Sequence, residues 1–186
     1  HYVATALEIQ IATQCIDVNQ LGPDTAITVA AKKLQEILKV LPEGSKVTLD
    51  VNENRLLVKV NKSKFTLQTL PAQDFPKVLE QLEQAVKVQI EQDKLKKLLG
   101  MVQYAMAQQD IRYYLNGVLL VIDGHFLKLI ATDGHRLAYI VTKLDQEYPK
   151  REIILPRKTV NELIKLLAET EEKITLELAE NQVRMT

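Results

Sequence analysis

The sequence predicts an α+β chain of two similar units rich in antiparallel strands. Three observations predict it: short runs of alternating apolar and polar residues bounded by turn signals, three amphipathic helical stretches set among them, and an internal repeat. The repeat sets Ala26–Leu38 beside Glu152–Ile164 at an offset of 126, so that Lys32 meets Lys158, Leu34 meets Val160, Glu36 meets Glu162 and Ile37 meets Leu163. After one residue of slip, Val47, Leu49, Val51, Asn54, Leu56 and Val58 meet Ile174, Leu176, Leu178, Asn181, Val183 and Met185. Upstream, Ala4-Thr5 meets Ala131-Thr132 at an offset of 127. Spacing kept across three segments marks a duplication.

The elements follow in order. Leu7, Ile9 and Ile11 alternate with Glu8 and Gln10, the period of a half-buried strand. Gly22-Pro23-Asp24 is a turn signal and Ile27–Val29 a short strand. Ala31–Leu41 reads as a helix with Leu34, Ile37, Leu38 and Leu41 on one face, ended by Pro42-Glu43-Gly44. Lys46–Asp50 and Leu56–Val60 flank a hairpin turn at Asn52-Glu53-Asn54. Lys64–Leu70 is a strand that Pro71 and Pro76 do not allow to continue, because proline cannot donate to the ladder. Residues 77–85 read as a linker.

In the second unit Lys87–Ile90 is a strand, and Gln92 to about Gln109 a helix carrying Leu95, Leu98, Leu99, Val102 and Met106. Tyr114–Val121 is a strand that Asp123-Gly124 closes as a hairpin. Phe126–Ala131 and Leu137–Thr142 are strands joined by Thr132-Asp133-Gly134-His135-Arg136, and Ile153–Leu155 is another strand. Arg157–Leu167 is a helix with Pro156 at its start, and a last hairpin follows. The boundaries predict a first domain over 1–83 and a second over 84–186. Compared copy against copy, the chain is expected to begin partway through the first domain and to stop before the last strand of the second.

Composition narrows the function. Hydrophobic residues make up 46% and no apolar run approaches the ~20 residues of a membrane helix, so no membrane role is expected. The single cysteine, Cys15, excludes a disulfide framework and a multi-cysteine metal site; it fits a reducing, cytoplasmic setting and a packing role. His1, His125 and His135 have no ligand spacing, and the six glycines form no phosphate loop, so neither metal nor cofactor is expected. Serine occurs only at Ser45 and Ser63, beside charged hairpin residues. No catalytic set emerges from these side chains, which leaves Asp133 with His135 as the only candidate pair for a hydrolase.

Two polar clusters stand out. Asp133-Gly134-His135-Arg136 reads either as a turn in which Asp-Gly supplies the geometry or as a binding surface. Gln108–Gly117 joins a helix to a strand and sets Arg112 beside Tyr113 and Tyr114; on a strand, adjacent tyrosines point to opposite faces. Arginine with an exposed tyrosine suits peptide or nucleic-acid contact.

At these clusters the sequence resembles the bacterial DNA polymerase III β subunit family, the replicative sliding clamps. Met106–Gly117 and Ala131–Leu137 carry the resemblance, with Val40–Gly44, Phe65–Pro76 and Ile153–Lys158 in support. The resemblance implies duplicated DNA-clamp domains, with helices lining one face and antiparallel sheet on the other. It implies a non-catalytic processivity factor, a homodimeric ring around duplex DNA. A groove in the ring would tether the replicative polymerase, the clamp loader and repair proteins through short peptide motifs. By position it assigns Arg112, Leu115, Thr132, Gly134, His135, Arg136 and Leu137 to that groove. Gln109, Tyr113 and Tyr114 fall to DNA contact, and Phe65 and Leu67 to the subunit interface. The family often has His where Gln108 stands, and no role is carried over to it. A non-DNA interaction module of duplicated α+β units is the alternative.

Charge agrees with a DNA channel. Lys plus Arg equals Asp plus Glu at 24 each, so the net charge is zero, which excludes a uniformly basic binder. Yet residues 30–41, 93–109 and 157–168 together hold nine Lys or Arg and only three acids, +6 against −6 for the remainder. Neutrality can therefore conceal a positive lining and a negative exterior.

Overall fold

A computed structural model of the chain describes residues 1–6, 8–14, 25–76 and 82–186. Leu7, Cys15, the Gly22-Pro23-Asp24 turn and most of the expected linker lie outside the described residues. The chain divides into two compact units, His1–Val78 and Leu79–Thr186.

In the first unit, β1 (Tyr2–Ala6) and β2 (Ile9–Thr13) form an antiparallel hairpin. The expected alternating burial does not follow: Ile9 and Gln10 are both half-buried and Ile11 is exposed. After β3 (Ile27–Val29) comes helix α1 (Ala31–Lys39), then β4 (Thr48–Asn52), β5 (Arg55–Val60) and β6 (Ser63–Pro71). These strands make one sheet in the order β3-β6-β5-β4, all antiparallel. The β4–β5 turn is Glu53-Asn54, with Glu53 at φ 50°. The core is small: Leu56, Val58 and Leu67 are buried, with Leu34 and Ile37 of α1 and Phe65 packed against them.

The second unit starts with β7 (Val86–Glu91) and helix α2 (Gln92–Val102). Two long strands follow, β8 (Gly117–Thr132) and β9 (Leu137–Pro156), then helix α3 (Arg157–Leu166) and strands β10 (Lys173–Leu178) and β11 (Val183–Met185). Its sheets are β11-β10-β7 and the β8-β9 pair. A large core joins α2 (Leu95, Leu99), β8 (Leu120, Ile122, Leu127, Leu129), α3 (Val160) and β10 (Leu176, Leu178). The second unit repeats the order of the first: the end of β8, the two ends of β9, α3, β10 and β11 match β1, β2, β3, α1, β4 and β5. Among the described residues no helix is long and apolar enough to cross a membrane.

Three further expectations need correction. The helix from Gln92 stops at Val102, passes through a 3-10 turn over Gln103–Ala105 and does not reach Gln109. Tertiary bonds take the chain away: the Ala107 N–H donates to the Leu115 carbonyl at 3.0 Å, and Arg157 Nη1 donates to the carbonyls of Met106 and Ala107 at 3.0 and 3.3 Å. Asp123-Gly124 does not close a hairpin. Gly124, at φ 56°, sits where the β8–β9 register shifts, a bulge inside a continuous strand. Leu120, Ile122, Leu127 and Leu129 on either side are all buried, so the strand stays in the sheet and reverses only at Asp133–Arg136. Finally, Tyr113-Tyr114-Leu115 is a 3-10 turn, and the strand begins at Gly117.

Candidate functional site: a groove edge on the second unit

The site is built from two loops. The first runs from Met106 to Asn116. Its apolar start is anchored, since Met106 and Ala107 are buried under the Arg157 guanidinium. Its middle is stapled by Asn116, whose Oδ1 accepts the Asp110 N–H at 3.0 Å while its Nδ2 donates to the Asp110 carbonyl at 2.8 Å. Asp110 then fixes Arg112. Oδ1 accepts the Arg112 backbone N–H at 2.8 Å and its Nε–H at 3.0 Å, and Oδ2 accepts Nη2–H at 2.9 Å. Such a fork is the strong form of the arginine–carboxylate bond. It holds the Asp110 carboxyl at about 2, the side-chain bonds from Arg112 weighing most.

The second loop is Thr132–Leu137. Asp133 organises it: Oδ1 accepts the backbone N–H groups of His135 and Arg136 at 2.9 Å each, and Oδ2 accepts Nε–H of Arg136 at 3.0 Å. The two backbone donors are the main reason its carboxyl lies below the ordinary range. Thr132 Oγ1 donates to the Arg136 carbonyl at 2.7 Å and accepts the Gly134 N–H at 3.1 Å. Gly134 adopts φ 90°, a conformation that side chains rarely take.

The loops meet at one point. A Cβ on Gly134 would lie 3.4 Å from Arg112 Nη2, so the glycine leaves room for the guanidinium. Between them is an open cavity of about 330 Å³ lined by Gln108, Asp110, Arg112, Asp133, His135 and Arg136 over the buried Met106 and Ala107. Arg136 lies 5.6 Å above the Tyr104 ring, a cation–π contact.

The structure thus brings Arg112, Thr132, Gly134, His135 and Arg136 together. Leu115 is half-buried on the first loop, and Leu137 is exposed at the start of β9. Gln109 is exposed at φ 55°. Tyr113 and Tyr114 are both exposed, 81% and 51%, with rings edge to face at 5.9 Å. Neither is the core tyrosine that a strand would have required. Phe65 and Leu67 lie in the first unit, in register with Val58 and Leu56, and face that unit's own core. Asp110, Asn116, Tyr104 and Arg157 were not singled out from the sequence. The only signal was spacing, Asp two residues before Arg112 and three before Arg136, which is too common in turns to stand out.

Two α+β units with the same order of strands and helix, one carrying two arginine-framed loops, define the domain class of the DNA clamps. Residues 89–186 match the description "DNA polymerase III beta subunit, central domain", and residues 2–79 match "DNA polymerase III beta subunit, N-terminal domain". The chain belongs to the DNA polymerase III beta subunit family. It is 42% identical over 185 residues to the beta sliding clamp of Pseudomonas aeruginosa, covering 98% of this chain and 49% of that protein. It is 37% identical to that of Escherichia coli K12, covering 97% and 49%. A crystal structure of the Pseudomonas aeruginosa sliding clamp superposes with a TM-score of 0.82 at 39% identity, covering 99% of this chain and 50% of that one. Another, bound to griselimycin, gives 0.78 at 44% identity, covering 86% and 43%. The chain spans about half the length of the curated relatives it matches.

Proposed function

We propose that this chain works as part of a sliding clamp, the cytoplasmic processivity factor that encircles duplex DNA and tethers its partners by short peptide motifs. The observation that carries this reading is the meeting of the Arg112 guanidinium with Gly134, in a chain of this family. A preformed, two-sided edge of this kind suits a peptide held by a few apolar anchors and directed by polar groups. Leu115 and Leu137 would supply apolar wall. Arg112, Thr132, Gly134, His135 and Arg136 would frame it. The replicative polymerase, the clamp loader and repair proteins would occupy it in turn.

Gln109, Tyr113 and Tyr114 are read as DNA contacts, which their exposure supports. The domains are read as 1–83 and 84–186. The full-length protein would be a homodimeric ring, with Phe65 and Leu67 at the subunit contact. In support, β3 pairs only with residues 69–71 of β6, so among the described residues the 63–68 stretch has β5 on one edge and no strand on the other. An added strand could continue the sheet there.

The role is non-catalytic. Asp133 is a poor general base, because its oxygens are committed to two backbone N–H groups and Arg136. Griselimycin serves as the probe, because a similar clamp binds it. Titrated against the full-length protein and its Arg136→Ala and Leu137→Ala variants, it is expected to bind the Leu137→Ala protein about tenfold more weakly. Unchanged affinity in both variants removes the groove assignment.

A further inference from the structure

We propose that Asp110 and Asp133 set the charge specificity of the groove, each holding a neighbouring arginine as a neutral, oriented pair so that the rim reads direction rather than net charge. The inference rests on the groove reading above.

The two arginines of the rim are not free cations. Arg112 is gripped by both oxygens of Asp110 and through its own backbone N–H, and Asn116 ties the Asp110 backbone on both sides. Arg136 is gripped through Nε and backbone N–H by Asp133, with the Tyr104 ring beneath it. Both carboxylates and both arginines line the same cavity. The loops are independent in sequence yet arrive at the same solution, a carboxylate two or three residues ahead that binds backbone and guanidinium together.

A free guanidinium attracts any acidic chain within a Debye length. A paired one keeps the donors its carboxylate does not use, at fixed directions, and loses the net charge that would draw in acidic chains. A groove serving several partners in turn gains from this, because affinity then follows the apolar anchors and hydrogen-bond directions. Discrimination against a charged competitor is as much a part of specificity as attraction to the right one.

The test uses Asp110→Asn in the full-length protein. It deletes the charge but leaves an oxygen for the Arg112 backbone N–H. Two probes are titrated by fluorescence anisotropy at low and at physiological salt: an uncharged pentapeptide with two leucine anchors, and the same peptide with two added aspartates. The unsubstituted protein is expected to bind both within about threefold, and Asp110→Asn to favour the acidic peptide by about tenfold at low salt, with the preference fading as salt rises. An equal loss for both peptides, with unchanged salt dependence, would mean that Asp110 only supports the loop and would overturn the proposal.

A second readout needs no peptide. The Arg112 Nε–Hε resonance is expected to sit apart from those of free arginines and to move to their position in Asp110→Ala, which removes the oxygens that accept Nε–H and Nη2–H; a resonance that does not move overturns the pairing. Failure of the unsubstituted protein to bind either peptide overturns the groove reading and this inference with it. That failure remains distinguishable, since the arginine resonance would still shift.

Discussion

Single residues carry the site because each solves a backbone problem. Asp110 sits at about 2, held there by Arg112 first through its side chain and then through its backbone N–H. The folded value lies below the unfolded one, near 3.9. The ionised carboxylate therefore contributes its full stabilisation above about pH 4, and that contribution fades as pH falls toward 2. A carboxyl carbon-13 titration should give a midpoint near 2, and Arg112→Ala should move it up toward the unfolded value. Glycines make the second residue-scale prediction. A Cβ on Gly117 would collide with the Leu155 carbonyl oxygen and lie 2.9 Å from Ile154 Cγ2, at the end of the β8–β9 ladder where Gly117 pairs with Pro156. Gly117→Ala is expected to cost about 2 kcal/mol or more, read by chemical denaturation. Gly134→Ala, strained at φ 90° but facing a flexible arginine end, should cost only about 1 kcal/mol. If the proposed groove takes griselimycin, Gly134→Ala should lose more in that affinity than in stability. In the sequence, Gly134 and Arg112 were legible as members of the two clusters. Their contact was not, because it joins residues 22 positions apart through a chain reversal that no local spacing encodes.

Elements show where local pattern and tertiary context part. Helices α1 and α3 are copies in sequence, yet Val160 and Leu163 of α3 are buried whereas no residue of α1 is. The difference lies in what covers them: α3 packs against α2 and the long strands, while α1 rests on the face of one sheet. Leu163→Ala is expected to cost about 2–4 kcal/mol. Leu38→Ala, at a residue 43% exposed, should cost under about 1 kcal/mol. Denaturant melts of the two variants separate these outcomes, and equal losses would contradict the burial difference. Strand identity was legible for most of both units, because period-two alternation is a local pattern of the chain, even where, as in β2, burial does not follow it. The end of α2 was not. Helical periodicity continues through Met106, but Arg157 and Leu115 offer the backbone better partners than a further helical turn would. The Asp123-Gly124 pair likewise satisfies turn chemistry in isolation, and the buried leucines and isoleucine on both sides make it a bulge.

At the scale of the molecule, charge is sorted by element. Each helix carries three cations and one acid: Lys32, Lys33, Lys39 and Glu36 on α1; Lys94, Lys96, Lys97 and Asp93 on α2; Arg157, Lys158, Lys165 and Glu162 on α3. The shorter helices of the structure keep the excess of cations that the longer predicted ones carried. Several are moderated by ion pairs, Lys97 with Asp93 and Lys165 with Glu162, while Lys158 is exposed without an ion-pair partner among the described residues. If these faces meet duplex DNA, binding by the full-length protein should be weak and steeply salt-dependent. Lys158→Ala should lower the slope of log affinity against log salt by about one unit. An unchanged slope would remove α3 from the contact. The sequence by itself determined the class of fold, the duplication and the positive helices, because periodicity, repeats and charge are properties of the chain read in order. Only the tertiary structure decided which arginine meets which turn, where α2 ends and which copy of the helix is buried. Those outcomes depend on the competition of distant groups for the same backbone donors, acceptors and apolar surface.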